Sequence, residues 1–353
     1  MYAYTLGYLL EALMFVFFTR WVTHFCAPAF VFLSGTSAFL YGRKINNTSH
    51  LTKYLITRGL LLVALEFTLI RFFWTFNFSY AQFTLAGVIW MLGCCMILLG
   101  LMVRLKPMAI GIIGLAIILF QNFFALVPLL LPETTRQSFG VFWEFIYSSG
   151  LDGPPSITIL YVIVPWIGVM AAGYGFGLVL QKEETVRKKL LIRIGLASII
   201  SFIIFATIAY LSADQHRYPF LLSILNQRKY PASQLFLLMT LGPSILLMAY
   251  VEKAKHFISQ AIIIFGKVPL FYYLLHIPLI HISALVVQLI KEGKIFPEWY
   301  DNAPYVGYPQ EHWWSLGILY LVFIIDVIML YFVCKWYVKF KFNHPEIKWV
   351  KFL

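Results

Sequence analysis

Apolar runs of about 20 residues recur along the chain, the length at which an α-helix crosses a ~30 Å hydrocarbon layer. Short polar stretches separate them. A window of about 19 residues predicts nine crossings, at approximately 22–42, 54–74, 83–103, 108–131, 157–180, 194–212, 233–251, 262–290 and 314–335. Residues 1–19 are also apolar, but Arg20 follows at once and the next run begins immediately. The segment 1–20 therefore reads as an interfacial or re-entrant piece, or as the remnant of a hairpin partner. The pattern predicts an all-α, polytopic bundle in a single transmembrane domain, 1–353, with a cytoplasmic tail at 336–353. No internal repeat and no low-complexity segment is visible.

Composition sharpens this reading. The chain is 61% hydrophobic and 12% charged, against roughly 45–50% apolar and 25% charged in soluble domains. A mean hydropathy of +0.81 leaves too little polar surface to face water all round. Disorder, a secreted disulfide scaffold and a β-barrel are excluded. Cys26, Cys94, Cys95 and Cys334 lie in or beside apolar runs without a CxxC pair, so neither a metal site nor a disulfide framework is expected. The first residues lack a basic n-region and a small-residue cleavage site, and do not read as a cleavable signal.

The formal charge of +12 would suggest nucleic acid in a soluble protein. Here it reports topology, and no nucleic-acid partner is expected. One set of loops, including 43–53, 181–193 and the tail, holds 17 Lys and Arg, the other set holds 7, and Arg58, Arg71 and Lys267 fall within spans. The basic set belongs in the cytoplasm. Residue 20 and the loops 132–156, 213–232 and 291–313 then face outward. A multi-pass protein of the inner (plasma) membrane with a cytoplasmic C-terminus is expected.

Ionisable residues inside spans are costly in lipid and are functional candidates by default. His24 lies at an outer span end in Arg20-Trp-Val-Thr-His-Phe-Cys-Ala-Pro28, with the hydroxyl of Thr23 and the charge of Arg20 nearby. Its imidazole can exchange a proton near neutral pH; the plainer role is an interfacial histidine bonded to a carbonyl. Arg58 and Glu66 are eight residues apart, about 12 Å along a helix, so each is expected to pair with another helix. Arg58, near the cytoplasmic end, could hold a phosphate or simply snorkel. Glu66 could be a catalytic acid or half of a structural pair. His276 and His281 flank Pro278 and point about 140° apart on a regular helix, which excludes a metal pair. His276 falls near mid-membrane, where Pro278 frees a carbonyl that a packing histidine could satisfy. Asp326, in the last span, reads as a tie to another helix. P-loop, GxGxxG and GxSxG motifs are absent, and Gly173-Tyr-Gly-Phe-Gly177 reads as a helix-packing run.

Several strings form a recognisable set. They are Phe18-Thr-Arg-Trp-Val-Thr-His-Phe-Cys-Ala-Pro-Ala-Phe-Val-Phe-Leu-Ser-Gly-Thr-Ser37, Gly87-Val-Ile-Trp-Met-Leu-Gly93, Pro165-Trp-Ile-Gly168, Lys229-Tyr-Pro-Ala-Ser233 and Phe265-Gly-Lys-Val-Pro-Leu-Phe-Tyr-Tyr-Leu-Leu-His276. Together they resemble bacterial membrane proteins related to heparan-alpha-glucosaminide N-acetyltransferase, over about 18–341. The resemblance implies transfer of an acetyl group from cytoplasmic acetyl-CoA to an acceptor on the far side, typically an amino sugar or glycan. It also implies a first helix ending in Asp-His, which residues 1–17 do not match, so a tenth, upstream span is expected.

The candidate set is then His24 and His276 as catalytic residues, with Arg20, Arg58, Glu66, Lys229 and Tyr230 binding substrate or acetyl-CoA. The partners expected are the lipid bilayer, acetyl-CoA and a sugar or glycan acceptor, with a homodimer as an option. The alternative class is a transporter or flippase whose buried charges line a path for a polar solute or lipid-linked sugar.

Overall fold

A computed structural model describes residues 14–81, 83–148, 157–215, 218–251, 256–301 and 308–347. Residues 1–13 of the expected interfacial segment, His216, Arg217, Lys253, Lys255 and positions 348–353 of the expected tail lie outside the described residues. In chain order, helix α1 (14–23) passes through a turn at His24–Phe25 into α2 (Cys26–Ile45). α3 (Thr48–Leu65), a π-helical turn (Glu66–Ile70) and α4 (Arg71–Thr75) follow. Strand β1 (Thr84–Ala86) leads into α5 (Val88–Met102), then α6 (Pro107–Phe120), a 3-10 stretch (Gln121–Leu130) and α7 (Glu133–Ile146). After β2 (Ile157–Ile159), which pairs with β1, come α8 (Trp166–Leu180), α9 (Glu184–Leu211), α10 (Phe220–Leu225) and α11 (Gln234–Val251). The chain closes with α12 (Phe257–Lys267), α13 (Pro269–Glu292) and α14 (Leu316–Asn343), which continues into the stretch expected to be tail.

Six helical stretches are long and apolar enough to cross a membrane: Met14–Ile45, Pro107–Leu130, Glu184–Leu211, Gln234–Val251, Pro269–Glu292 and Leu316–Asn343. α5 and α8 are shorter apolar helices. At 15 residues each, they rise only about 22 Å. The protein is a polytopic, all-α, multi-pass membrane protein.

The chain divides into two compact units, the first made of Met1–Val63, Gly87–Gly153 and Ile159–Glu252. At its centre lies α8, against which α2, α5, α6 and α9 pack. α8 is buried nearly all round, at Trp166–Ala171, Gly173, Tyr174, Phe176 and Gly177, as expected of a helix apolar on every face. Its contact with α2 is set by glycine. A side chain on Gly35 would collide with the Met170 carbonyl, and one on Gly173 with the Phe32 carbonyl. Such close backbone approach is the usual solution where lipid supplies no hydrophobic drive between helices. The hydroxyl of Thr36 adds a bond across this seam, donating to the Gly173 carbonyl at 2.9 Å.

The second unit comprises Ala64–Ala86, Pro154–Thr158 and Lys253–Leu353. α13 packs against α4, α12 and α14. Ser283 donates to Asp326 at 2.8 Å, the interhelical tie that Asp326 suggested. Arg71 is almost fully buried and organises the loop after α4. It donates to the carbonyls of Phe83 (3.1 Å), Asn77 and Ser79, and to Thr75 Oγ1 (3.0 Å).

Two predicted spans are interrupted, the second of them at a proline. The run 108–131 leaves α-helical geometry at Gln121 and contains Pro128. In a 3-10 turn Pro128 withholds its amide from the carbonyl three residues before it, that of Ala125. The indole of Trp143 donates to the neighbouring Phe124 carbonyl at 2.9 Å. The run 262–290 breaks between α12 and α13 at Val268, which adopts φ −137°, ψ 53° before Pro269. A residue preceding proline is driven out of the helical region. The run 54–74 stays helical but takes a π turn at Glu66–Ile70.

Candidate active site

The turn between α1 and α2 places His24. Its amide bonds the Trp21 carbonyl at 3.0 Å, and Thr23 caps the same turn by donating to the Arg20 carbonyl at 2.6 Å. Trp21 is anchored to α11 through its indole and Met239 Sδ, at 3.3 Å. The imidazole is 6% exposed and meets the ring of Phe236 edge-on at 5.5 Å. Its Nδ1 is buried and has no hydrogen-bond partner among the described residues. A buried polar atom without a partner costs roughly 1–3 kcal/mol and calls for a reason. The plainer sequence expectation, a histidine satisfied by a carbonyl, does not describe Nδ1.

Two cations, Lys229 and Arg20, act electrostatically on this ring. Lys229 comes from the loop before α11, where it forms an antiparallel bridge with Ala232. Its ammonium lies 5.2 Å from the ring centroid of Tyr230 and 5.9 Å from that of Tyr161. The two tyrosines meet edge to face at 5.2 Å, and Tyr161 also packs on Trp166 at 5.6 Å. The Trp90 indole fixes the Tyr161 backbone by donating to its carbonyl at 3.0 Å. Nearby, Tyr147 donates to Asn122 Oδ1 at 3.3 Å. Burial pushes its phenol above the usual value, with the charge of Arg228 opposing. The carboxamide of Gln121 is also buried without a partner among the described residues.

Four of the predicted site residues thus converge in the first unit: His24, Arg20, Lys229 and Tyr230. Tyr161 and Phe236 were not foreseen. Tyr161 stands four residues before the Pro165-Trp166 string, and Phe236 three after Ser233, so both lie beside recognised motifs.

Arg58 occupies another part of the same unit. It donates to Tyr54 Oη one turn earlier on α3, at 2.9 Å, rather than to another helix. Tyr54 packs on Tyr41 of α2 at 4.6 Å. Tyr41 is 17 residues beyond His24, about 25 Å along a helix. The Arg58 cluster and the His24 cluster therefore sit at opposite ends of α2. Arg43, Lys44 and Lys53 surround the former in sequence, and no Asp or Glu occurs between Glu11 and Glu66.

Glu66 and His276 belong to the second unit. Glu66 opens the π turn and is 1% exposed. His276 Nδ1 contacts the Tyr273 carbonyl at 2.6 Å, and its ring stacks on Tyr272 at 5.4 Å. That carbonyl is one residue before Leu274, whose oxygen Pro278 leaves without its usual donor. His281 is more deeply held, stacked on Phe76 at 4.0 Å and on Tyr300 at 5.1 Å, with Nδ1 3.1 Å from the Phe73 carbonyl.

The first unit thus holds a buried histidine whose Nδ1 has no partner among the described residues at one end of a span, and a cluster around Arg58 at the other. A family model described as heparan-alpha-glucosaminide N-acetyltransferase, catalytic, matches residues 2–211, and the chain belongs to that family. The match includes residues 2–17, which the motif reading set apart, and ends before Lys229, Tyr230 and His276. No curated protein and no solved structure matches the chain.

Proposed function

We propose that the protein is a transmembrane acetyltransferase that takes its acetyl group from cytoplasmic acetyl-CoA and delivers it to an amino sugar or glycan across the membrane. Family membership supports the acetyltransferase class. The observation that carries the site is His24, with Nδ1 buried and without a hydrogen-bond partner among the described residues, in the turn that leads into α2. In this reading the imidazole takes the proton of the acceptor amine as its nitrogen attacks the acetyl carbonyl. The new C–N bond replaces the thioester C–S bond, CoA leaves as thiolate and is protonated, and His24 returns its proton to solvent. A positioned base of this kind contributes about 10²–10⁴-fold in rate.

Arg58 would hold a phosphate of the donor, helped by the basic residues around it. Arg20, Lys229, Tyr230 and Tyr161 would frame the acceptor. Glu66 is assigned to the second unit's internal order, and His276 to a local structural role within α13 through the Tyr273 carbonyl. The distribution of Lys and Arg supports a cytoplasmic C-terminus.

The test is direct. Purified full-length protein with labelled acetyl-CoA and glucosamine should release CoA and yield labelled N-acetylglucosamine. Absence of both products, together with uptake of a labelled polar solute into protein-loaded vesicles, would replace this reading with transport.

A further inference from the structure

The start of α9, in a loop expected to face the cytoplasm, is strongly basic. Lys182, Arg187, Lys188, Lys189 and Arg193 stand within 182–193, against Glu183 and Glu184. α9 packs on α11 through glycine, because a side chain on Gly195 would press on Leu246 and one on Gly242 on Ser198. At the mouth of that seam the Lys188 ammonium lies 5.3 Å from the ring centroid of Tyr250, an exposed residue of α11. Arg187 is used within the chain and donates to the Lys182 carbonyl at 3.0 Å. Lys189 and Arg193 are exposed, and neither has an ion-pair partner among the described residues. They stand four residues apart on the helix, where like charges repel. The same helical face continues with Leu196, Ile200, Ile203 and Leu211, all exposed. This apolar stripe, 196–211, rises about 22 Å, more than half of a ~30 Å hydrocarbon layer, so an acyl chain can lie along it. Cations at the head of an unbroken apolar stripe match the two parts of an anionic phospholipid, a charged headgroup and a hydrocarbon chain.

We infer that the face of α9 beside the α11 seam is a binding site for an anionic phospholipid of the phosphatidylglycerol class. Lys188, Lys189 and Arg193 hold its headgroup, the Tyr250 ring closes the α11 side, and an acyl chain runs along 196–211. A headgroup with net negative charge neutralises the like-charged pair that the protein itself leaves unpaired. Clusters of Lys and Arg beside a span attract anionic lipid in this way. A zwitterionic headgroup brings a phosphate but no net charge, so it gains less from the same cations. The inference stands on α9 and α11 alone and is independent of the acetyltransfer reading.

The experiment is native mass spectrometry of the detergent-purified full chain, titrated with phosphatidylglycerol or with phosphatidylcholine of matched acyl chains. The wild type should bind the first phosphatidylglycerol about tenfold or more tighter than phosphatidylcholine. Lys189→Gln/Arg193→Gln should bring that ratio close to one, Lys188→Gln should lower it severalfold, and Lys189→Arg should keep it. Lys339→Gln/Lys341→Gln removes the same charge from α14 and should leave the ratio unchanged. A thermal midpoint equal to that of the wild type establishes folding, and if the α9 double variant does not fold, Lys188→Gln carries the test. Equal affinity of the wild type for the two lipids overturns the inference. So does a full ratio in Lys189→Gln/Arg193→Gln or in Lys188→Gln, or an equal loss in the α14 variant, which would reduce the effect to overall charge. Displacement of bound phosphatidylglycerol by glycerol 3-phosphate or adenosine 3′,5′-bisphosphate also overturns it, because the cations would then serve a soluble phosphate compound.

Discussion

Replacing His24 with glutamine keeps a hydrogen-bonding side chain of similar length but removes the ability to shuttle a proton. The structure sets the expected sizes. Nδ1 has no partner among the described residues, so no such hydrogen bond is lost at that atom. The contact at stake is the edge-on meeting with Phe236 at 5.5 Å, worth about 0.5–1.5 kcal/mol for an aromatic pair. The stability change should therefore be small. His24→Phe keeps the packing and removes the orphaned nitrogen, whose burial costs roughly 1–3 kcal/mol, so its thermal midpoint should equal or exceed that of the wild type. Activity should move the other way. Loss of a general base lowers the rate about 10²–10⁴-fold, some 2.7–5.4 kcal/mol of barrier. The assay pairs thermal unfolding in detergent with the initial rate of CoA release at saturating acetyl-CoA. Full activity in His24→Gln would refute the assignment and pass the role to His276. A large fall in the midpoint of both variants would show that His24 is structural.

Two other substitutions test the account at different places. Arg58→Ala should weaken binding of acetyl-CoA more than Arg58→Lys, because lysine keeps the charge but loses the planar fork; equal affinity in all three proteins removes Arg58 from the donor site. Gly173→Ala puts a methyl group into the Phe32 carbonyl and should cost about 1–3 kcal/mol through overpacking, read as a lower thermal midpoint; an unchanged midpoint would show that α2 and α8 are not locked at that point.

Helices were legible because length and hydropathy decide them: every predicted crossing contains helix, and six helical stretches among the described residues are long and apolar enough to cross a membrane. The interruptions depend on side chains far away in sequence. Pro128 is visible in the sequence, but Trp143, which donates to the Phe124 carbonyl in the same stretch, lies in a segment read as an outer loop and in fact helical. Pro269 was equally visible, and the rule for the residue before proline was enough to foresee the break at Val268. The site was partly readable. His24 stood out as an ionisable group within a span, and Lys229 and Tyr230 came from a motif. Nothing in the sequence joined them, because Lys229 is 205 residues from His24 and the packing of α11 against α2 brings their segments together. Arg58 was expected to reach another helix, whereas its guanidinium bonds Tyr54 on its own. A tyrosine four residues earlier is a common helical partner, and that spacing was a signal in plain view.

The central claim is vectorial acetyl transfer with His24 as the base at the acceptor end. It is tested most directly by reconstituting the protein in sealed vesicles, in one known orientation, with labelled acetyl-CoA confined to the cytoplasmic side and glucosamine to the other. The account predicts labelled N-acetylglucosamine on the acceptor side, CoA retained on the donor side, and both reduced at least 100-fold in His24→Gln. Product formed only when acetyl-CoA and sugar share one compartment, or equal product from His24→Gln, would contradict it.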